Sequence, residues 1–323
     1  INLERTNKMK KLLIMVSALT AAVFSSAKAD VSVSGSAGVH ITSGGNVVDG
    51  DSNATSGTLF MNGAGVSFAM STTTAGGMTV SSKGGISLDS NDSDNTKGVS
   101  GLASVSFASD GFTFTVGDVD LVGDGTGHVG NVASDAVDNG GYTSTGIATG
   151  VADTEGYGFT ASTTVGTASV SLAYLIDTKN AAVNNAESAG GEYGTGLSIS
   201  LPMGPMTVAV GYSNIDGTAD ETSNGVSIAY GVAGGTLSLG YESTDEATDS
   251  STMAAAFSGS LDADTTYAIG YTDGEQGTAA STRTEAKITR SLGGGVSVYA
   301  EIQNTDGTGT SGTNMSFGTT VAF

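Results

Sequence analysis

The chain has no cysteine, no tryptophan, two prolines and two histidines in 323 residues. Without cysteine an exported protein of this size holds together with neither disulfides nor a thiolate metal site, and cysteine chemistry is excluded. Base is scarce as well: 11 Lys and Arg stand against 32 Asp and Glu. That balance repels a phosphate backbone, so nucleic acid is not an expected partner. Long apolar runs are missing except for Leu12 to Phe24, and no stretch after Phe24 keeps a helical period. Fifty glycines among many Ser and Thr would fit disorder by composition alone. The apolar residues are spaced, however, and a disordered chain has no reason to keep a period.

The one apolar run sits in "MKKLLIMVSALTAAVFSSAKA", residues 9–29. A basic start, an apolar middle and the small-x-small ending Ala27-Lys28-Ala29 read as a secretory signal peptide, with cleavage before Asp30. Thirteen residues rise about 20 Å at 1.5 Å each, short of a hydrocarbon core of about 30 Å, so a membrane helix is the poorer reading. Residues 1–8 precede Met9 and read as lying upstream of the start. The expected layout is residues 1–29 as upstream residues plus a cleaved signal peptide, then a single domain over 30–323. Removing Glu4 and the bases Arg5, Lys8, Lys10, Lys11 and Lys28 leaves 31 acids against six bases, a net charge near −25.

What is present is a period of two. In "NMSFGTTVAF", residues 314–323, Met315, Phe317, Val321 and Phe323 share one parity, and small or polar residues take the other. The same alternation recurs near 31–41, 58–70, 77–88, 98–108, 111–116, 155–163, 168–176, 192–201, 206–213, 224–231, 236–242, 252–258, 265–272, 282–290, 296–303 and 314–323. The connections alternate between two kinds. Short, turn-like ones fall at 71–76, 109–111, 164–167, 202–205, 232–235, 259–264 and 291–295. Long, polar ones fall at 42–57, 89–97, 117–154, 177–191, 214–223, 243–251, 273–281 and 304–313, and these hold most of the acid.

Short turns at one end, long loops at the other and an even strand count are the build of an outer-membrane barrel. Strand charges agree: Lys83, Glu192, Glu242, Arg283, Glu285, Lys287 and Glu301 take the polar parity, while Lys97, Glu155 and Arg290 lie on the apolar parity only at strand ends. Lys or Arg on the lipid face costs about 2–4 kcal/mol near the bilayer middle and about 0–1 near the interfaces. A soluble β-sandwich would alternate too, but nothing in it gives one end all the long loops. A solenoid would show a fixed repeat, and none is found. The expected fold is all-β, a 16-stranded antiparallel transmembrane barrel.

At this point the sequence resembles the general diffusion porins of Gram-negative outer membranes, most closely the alphaproteobacterial, Rhodobacter-type porins. The features that carry the likeness are the signal peptide ending Ala27-Lys28-Ala29, the "DVSVSGSAGV" strand at 30–39, "FTFTVGDVD" at 112–120 leading into a long loop, and the terminal Phe323. The resemblance implies a homotrimer in outer-membrane lipid, short periplasmic turns, long extracellular loops and a third loop folded into the lumen. By that likeness, Asp118, Asp120, Asp124, Asp135, Asp138 and Asp153 of 117–154 line one side of a constriction, and Phe323 is part of the signal read by the barrel-assembly machinery. The departure is on the other side: such porins oppose these acids with several arginines, and here only Arg283 and Arg290 follow residue 29.

The segment "TRTEAKITR", 282–290, is the one basic cluster, with Arg283, Glu285 and Lys287 on the polar parity. A hairpin centred near Gly293 would set Glu301 beside Glu285. This group reads either as the basic wall of a constriction or as a lumenal salt-bridge patch. "GTGHVG" at 125–130 matches a dinucleotide fingerprint by letter but has no helix after it. His40 and His128 lie in different contexts, so an outer-membrane hydrolase built on His128 is a minor alternative. "DGDSN" at 49–53 and "DSNDSDN" at 89–95 lack EF-hand spacing and read as solvated acidic loops. The expected function is passive diffusion of small hydrophilic solutes and ions with weak cation preference, without metal or cofactor. A structural or adhesive barrel with a plugged pore is the alternative from another class.

Overall fold

The structure, a computed structural model, describes residues 29–44, 59–88, 97–100, 104–122, 155–180, 186–187, 193–216, 220–245, 249–307 and 310–323. Its elements are β1 (Ala29–Gly44), β2 (Leu59–Thr73), β3 (Thr79–Leu88), β4 (Lys97–Ser100), β5 (Ser104–Ser109), β6 (Phe112–Asp120), β7 (Glu155–Val165), β8 (Ala168–Asn180) and β9 (Ala186–Glu187). They continue as β10 (Tyr193–Met203), β11 (Met206–Asp216), β12 (Glu221–Val232), β13 (Gly235–Asp245), β14 (Ser250–Ser260), β15 (Thr265–Gln276), β16 (Ala279–Gly293), β17 (Val296–Gly307) and β18 (Thr310–Ala322). Both β4 and β5 pair with β3, so they form one interrupted stave, and β9 only extends the end of β8 above the wall. The result is a closed antiparallel barrel of 16 staves, as the period predicts.

Burial runs opposite to that of a soluble domain. Leu239, Ile269 and Phe317 are 46%, 52% and 61% exposed, whereas Glu242, Glu285 and Glu301 are 1%, 3% and 6% exposed. Along β15 the alternation is strict: Ile269 and Tyr271 point out, Ala268 and Thr272 point in. An apolar exterior of this extent is stable only against hydrocarbon, and the polar face is then turned to the lumen.

All seven expected short turns are found, the tightest at 110–111, 166–167, 204–205, 233–234 and 294–295. In the turn at 261–264 the backbone N–H of Asp264 donates to Asp262 Oδ1 at 2.8 Å. That bond, the Thr265 hydroxyl and the Arg290 guanidinium hold the Asp262 carboxyl below its ordinary range.

Two expectations are corrected. The long connections at 214–223, 243–251, 273–281 and 304–313 shrink, because β11 to β18 run on beyond their apolar stretch. Polar cross-strand pairs sustain the ladder there: Asn214 Nδ2 donates to Thr222 Oγ1 at 3.1 Å, and a 2.8 Å bond joins Thr313 Oγ1 to Asn304 Oδ1. The β16–β17 hairpin also turns later than Gly293. Gly293, Gly294 and Gly295 all take positive φ (81°, 61° and 80°), and the register slips between Ser291 and Gly293. Only glycine enters that region without strain, and three in a row allow the turn to sit one residue later. Glu301 therefore faces Lys287, not Glu285, which faces Gln303.

Closure is made by β1 against β18, in register from Ser36↔Ala322 to Gly44↔Asn314. One residue further, Gly35 and Phe323 exchange both backbone bonds, N–H to O at 2.6 and 2.9 Å. The Phe323 ring lies across Gly35, where a Cβ would overlap it. Gly35→Val should therefore weaken the seam by about 1–3 kcal/mol, the usual cost of overpacking. Heat-dependent gel mobility of the folded barrel checks this, with Gly35→Val/Phe323→Ala regaining part of the loss; equal stability of wild type and Gly35→Val would remove the seam contact from the account.

Candidate functional site

The lumenal parity of β12 to β18 builds a mostly polar wall, interrupted by Ala254, Ala256, Ala268 and Tyr299. Ser223 Oγ donates to Glu242 Oε1 at 2.9 Å, and Gln303 Nε2 donates to Glu285 Oε2 at 3.4 Å. Two ion pairs lie across it: Arg283 Nε to Glu285 Oε2 at 3.5 Å and Lys287 Nζ to Glu301 Oε2 at 3.8 Å. Both carboxylates are 2% exposed by side chain. Charges taken this far from water are tolerated only when paired and hydrogen-bonded, which fixes the side chains as well as the register. Lys287 Nζ also stands 5.1 Å from the centre of the Tyr299 ring, a cation–π contact. Tyr299 is 3% exposed and lies flat over Gly318, where a Cβ would collide with the ring. Lys83 is exposed on the lumenal parity of β3.

Facing this wall is an apolar patch inside the barrel. Val119 and Leu121 pack against Ala173, Leu175 and Ile215, and Leu175 is 0% exposed. Val122 joins the cluster, and its backbone passes so close over Gly196 that a Cβ there would overlap the carbonyl oxygen. Gly194 likewise gives room to Leu121 and Leu175. The chain leaving β6 thus turns inward and is seated on the inner wall of β8, β10 and β11. Two bulky residues in a polar segment are the signal for this in the sequence, one that a period of two does not contain.

The other expected site residues fall as follows. Arg283, Glu285, Lys287 and Glu301 are brought together. Asp118 and Asp120 belong to β6 and not to the loop, paired with Tyr157 and Glu155. They continue the parity of Phe112, Phe114 and Val116 at the long-loop end of the strand, Asp118 half-buried and Asp120 exposed. Strand pairing continues here past Gly117, whose φ of 125° no other residue takes easily. Asp124, Asp135, Asp138, Asp153, His128 and the 125–130 segment lie outside the described residues, as do the acidic stretches 49–53 and 89–95. His40 is in β1 and pairs with Gly318 of β18.

A family model described as Gram-negative porin matches residues 15–310. Among solved structures the chain is similar to an anion-selective porin from Comamonas acidovorans, with a TM-score of 0.67, 15% identity, and 92% of this chain and 100% of that chain covered. It is similar to a substituted form of Rhodobacter blastica porin, with a TM-score of 0.64, 16% identity and 91% and 100% covered. OmpT, an outer membrane protein of Vibrio cholerae solved in a trimer form, matches with a TM-score of 0.65, 12% identity and 91% and 99% covered. No curated protein matches the chain.

The loop root yields a direct test. Gly196→Val must lift the Val122 backbone from the wall while leaving the ladder of β10 intact. Single-channel conductance in a planar bilayer should change by at least about a third, since conduction is set by the lumen lining; folded yield and heat stability should stay at wild-type levels. A well-folded variant with unaltered conductance would place the loop root outside the conduction path.

Proposed function

The chain belongs to the Gram-negative porin family, and on that premise we propose that this outer-membrane barrel is a general diffusion channel for small hydrophilic solutes and ions with a weak preference for cations. The observation that carries the reading is the inversion of the wall, apolar outside and charged inside, with Arg283, Glu285, Lys287 and Glu301 grouped on one lumenal face. These four residues form one side of the narrowest zone. The connection after Val122 supplies the other side, with Asp124, Asp135 and Asp138 and no Lys or Arg.

No reaction is needed. A solute exchanges part of its hydration shell for lumenal hydroxyls, amides and paired charges, then leaves, because no site holds it strongly. Within the described wall Glu242, Glu285 and Glu301 are matched by Lys83, Arg283 and Lys287, so the bias toward cations comes from the mouth. At the outer ends of β11 to β17 stand Asp216, Asp220, Asp245, Asp249, Glu275 and Asp306. An acidic rim raises the local concentration of cations before they enter.

The working form in this reading is a homotrimer in outer-membrane lipid, with residues 1–29 removed on export. Phe323 serves the barrel-assembly machinery by presenting an exposed aromatic, 76% accessible, at the end of an alternating strand. Deleting it should leave export intact and lower the amount of folded surface barrel several-fold; undiminished surface levels of folded deletion protein would contradict that role.

Selectivity is tested by reversal potentials across a salt gradient. The wild type should favour cations weakly, and Arg283→Gln/Lys287→Gln should raise the cation-to-anion permeability ratio roughly two- to fivefold at 0.01 M salt, where the Debye length is about 30 Å. The difference should fade at 1 M, where it is about 3 Å. An anion-selective wild type, or a folded double variant with no shift, would count against the proposed source of selectivity.

A further inference from the structure

Conduction makes no use of the outer wall of β15 to β18, where the apolar face is concave. A groove of about 720 Å³ opens there toward the lipid. Its floor is Ala286 and Ala300, and Ile269, Ile288, Ile302 and Phe317 stand around it. The register explains the shape: Ala286 lies between Ile269 and Ile302 in one row, and Ala300 lies between Ile288 and Phe317 in the next. Two small residues on adjacent staves, flanked by branched and aromatic neighbours, leave a dent as deep as the missing side chains.

A base stands at the short-turn end of this groove. Arg290 has the outward parity of Ala286 and Ile288, and among the described residues it is the one Lys or Arg on the outer face near that end. Its distance from Ala286 along the strand is about 13 Å at 3.3 Å per residue. Nη1 of Arg290 meets Asp262 Oδ2 at 3.4 Å and Thr265 Oγ1 at 2.8 Å. Nε and Nη2 have no partner among the described residues, and the side chain is 54% exposed. Leu292, 58% exposed, follows at the register slip before the turn. A guanidinium with donors to spare therefore stands at the periplasmic interface, on the same face as the apolar groove and one strand segment below it.

We propose that β15 to β18 hold one anionic phospholipid of the periplasmic leaflet, an acyl chain lying over Ala286 and Ala300 and the phosphate meeting Arg290. The guanidinium fork matches phosphate oxygens, and the neighbouring Asp262 tempers the attraction without occupying every donor. Lipid contact of this kind is ordered by shape and by one charge, and it leaves the lumen untouched.

The absence of tryptophan makes the test clean, since one introduced indole reports alone. Ile269→Trp places it in the groove wall, and Leu172→Trp places it on the outward face of β8 as a reference. Each protein is refolded into phosphatidylcholine vesicles carrying a minority of brominated phosphatidylglycerol or, separately, brominated phosphatidylcholine, and quenching is compared at equal mole fraction. The Ile269→Trp protein should prefer the anionic lipid roughly two- to fivefold, the scale of one basic side chain at a charged surface; the Leu172→Trp protein should show no preference. Arg290→Gln should abolish the preference, and Asp262→Asn should strengthen it. Ala286→Leu/Ala300→Leu should abolish it by filling the groove. Equal quenching by both lipids, or a preference that survives Arg290→Gln, overturns the proposal. So does an indole at 269 that no lipid quenches while the one at 172 is quenched, which would assign the groove to a second copy of the chain.

Discussion

Inside hydrocarbon every backbone N–H and C=O must find its partner within the protein, and for a sheet only closure achieves this. The pairing of β1 with β18 is therefore the constraint on which the other features rest. Once the ladder is closed, backbone polarity is spent sideways between staves, and side chains alone decide what each face can touch. One parity then becomes free to be apolar and the other free to carry charge. Glu242 at 1% exposure and Leu239 at 46%, on the same strand, are two results of one geometric decision. Phe323 and Gly35 belong to the same logic, because the last backbone pair of the seam forms where the ring has room to lie flat.

The lumen has a harder task than the exterior, since it must be polar to pass solutes and rigid to keep its width. Rigidity comes from pairing and from glycine. Arg283 with Glu285 and Lys287 with Glu301 lock long side chains against the wall, and Tyr299 reaches Lys287 because Gly318 lets its ring lie close to the sheet. Opposite them, Gly194 and Gly196 let the chain after β6 dock without distorting the staves. Apolar packing at Leu121 and Leu175 seats that segment at its root, where water would otherwise compete for every polar contact.

Much of this was legible in the residues. Alternation marked all sixteen staves and the seven short turns, because a lipid face tolerates little but apolar side chains and so writes its period plainly. The same signal ends where the lipid ends. Beyond that level a strand needs only hydrogen-bonded neighbours, so the outward extensions of β11 to β18, built on pairs such as Asn214 with Thr222, carry no period to read. Asp118 and Asp120 read as loop residues in the sequence for that reason: carboxylates break the apolar parity while the ladder with Tyr157 and Glu155 continues. The root at Leu121 and Val122 was obscured for the opposite reason, being apolar in a segment whose composition is that of a solvated loop.

The β16–β17 hairpin shows how little separates a correct fold from a correct site. "GGG" at 293–295 offers several turn positions of similar cost, and the sequence pattern on either side is satisfied by any shift of two, since a shift of two preserves parity. Charge is not so indifferent. Turning at Gly293 would oppose Glu301 to Glu285, two carboxylates which at about 4 Å and an effective dielectric of 20 would repel by about 4 kcal/mol. The register found instead opposes Glu301 to Lys287 at 3.8 Å and Glu285 to Gln303, whose amide donates to it. A shift of two keeps the lipid-face parity whichever way it goes, so the lumenal ion pair favours this register, and the register in turn fixes where the charges of that wall lie.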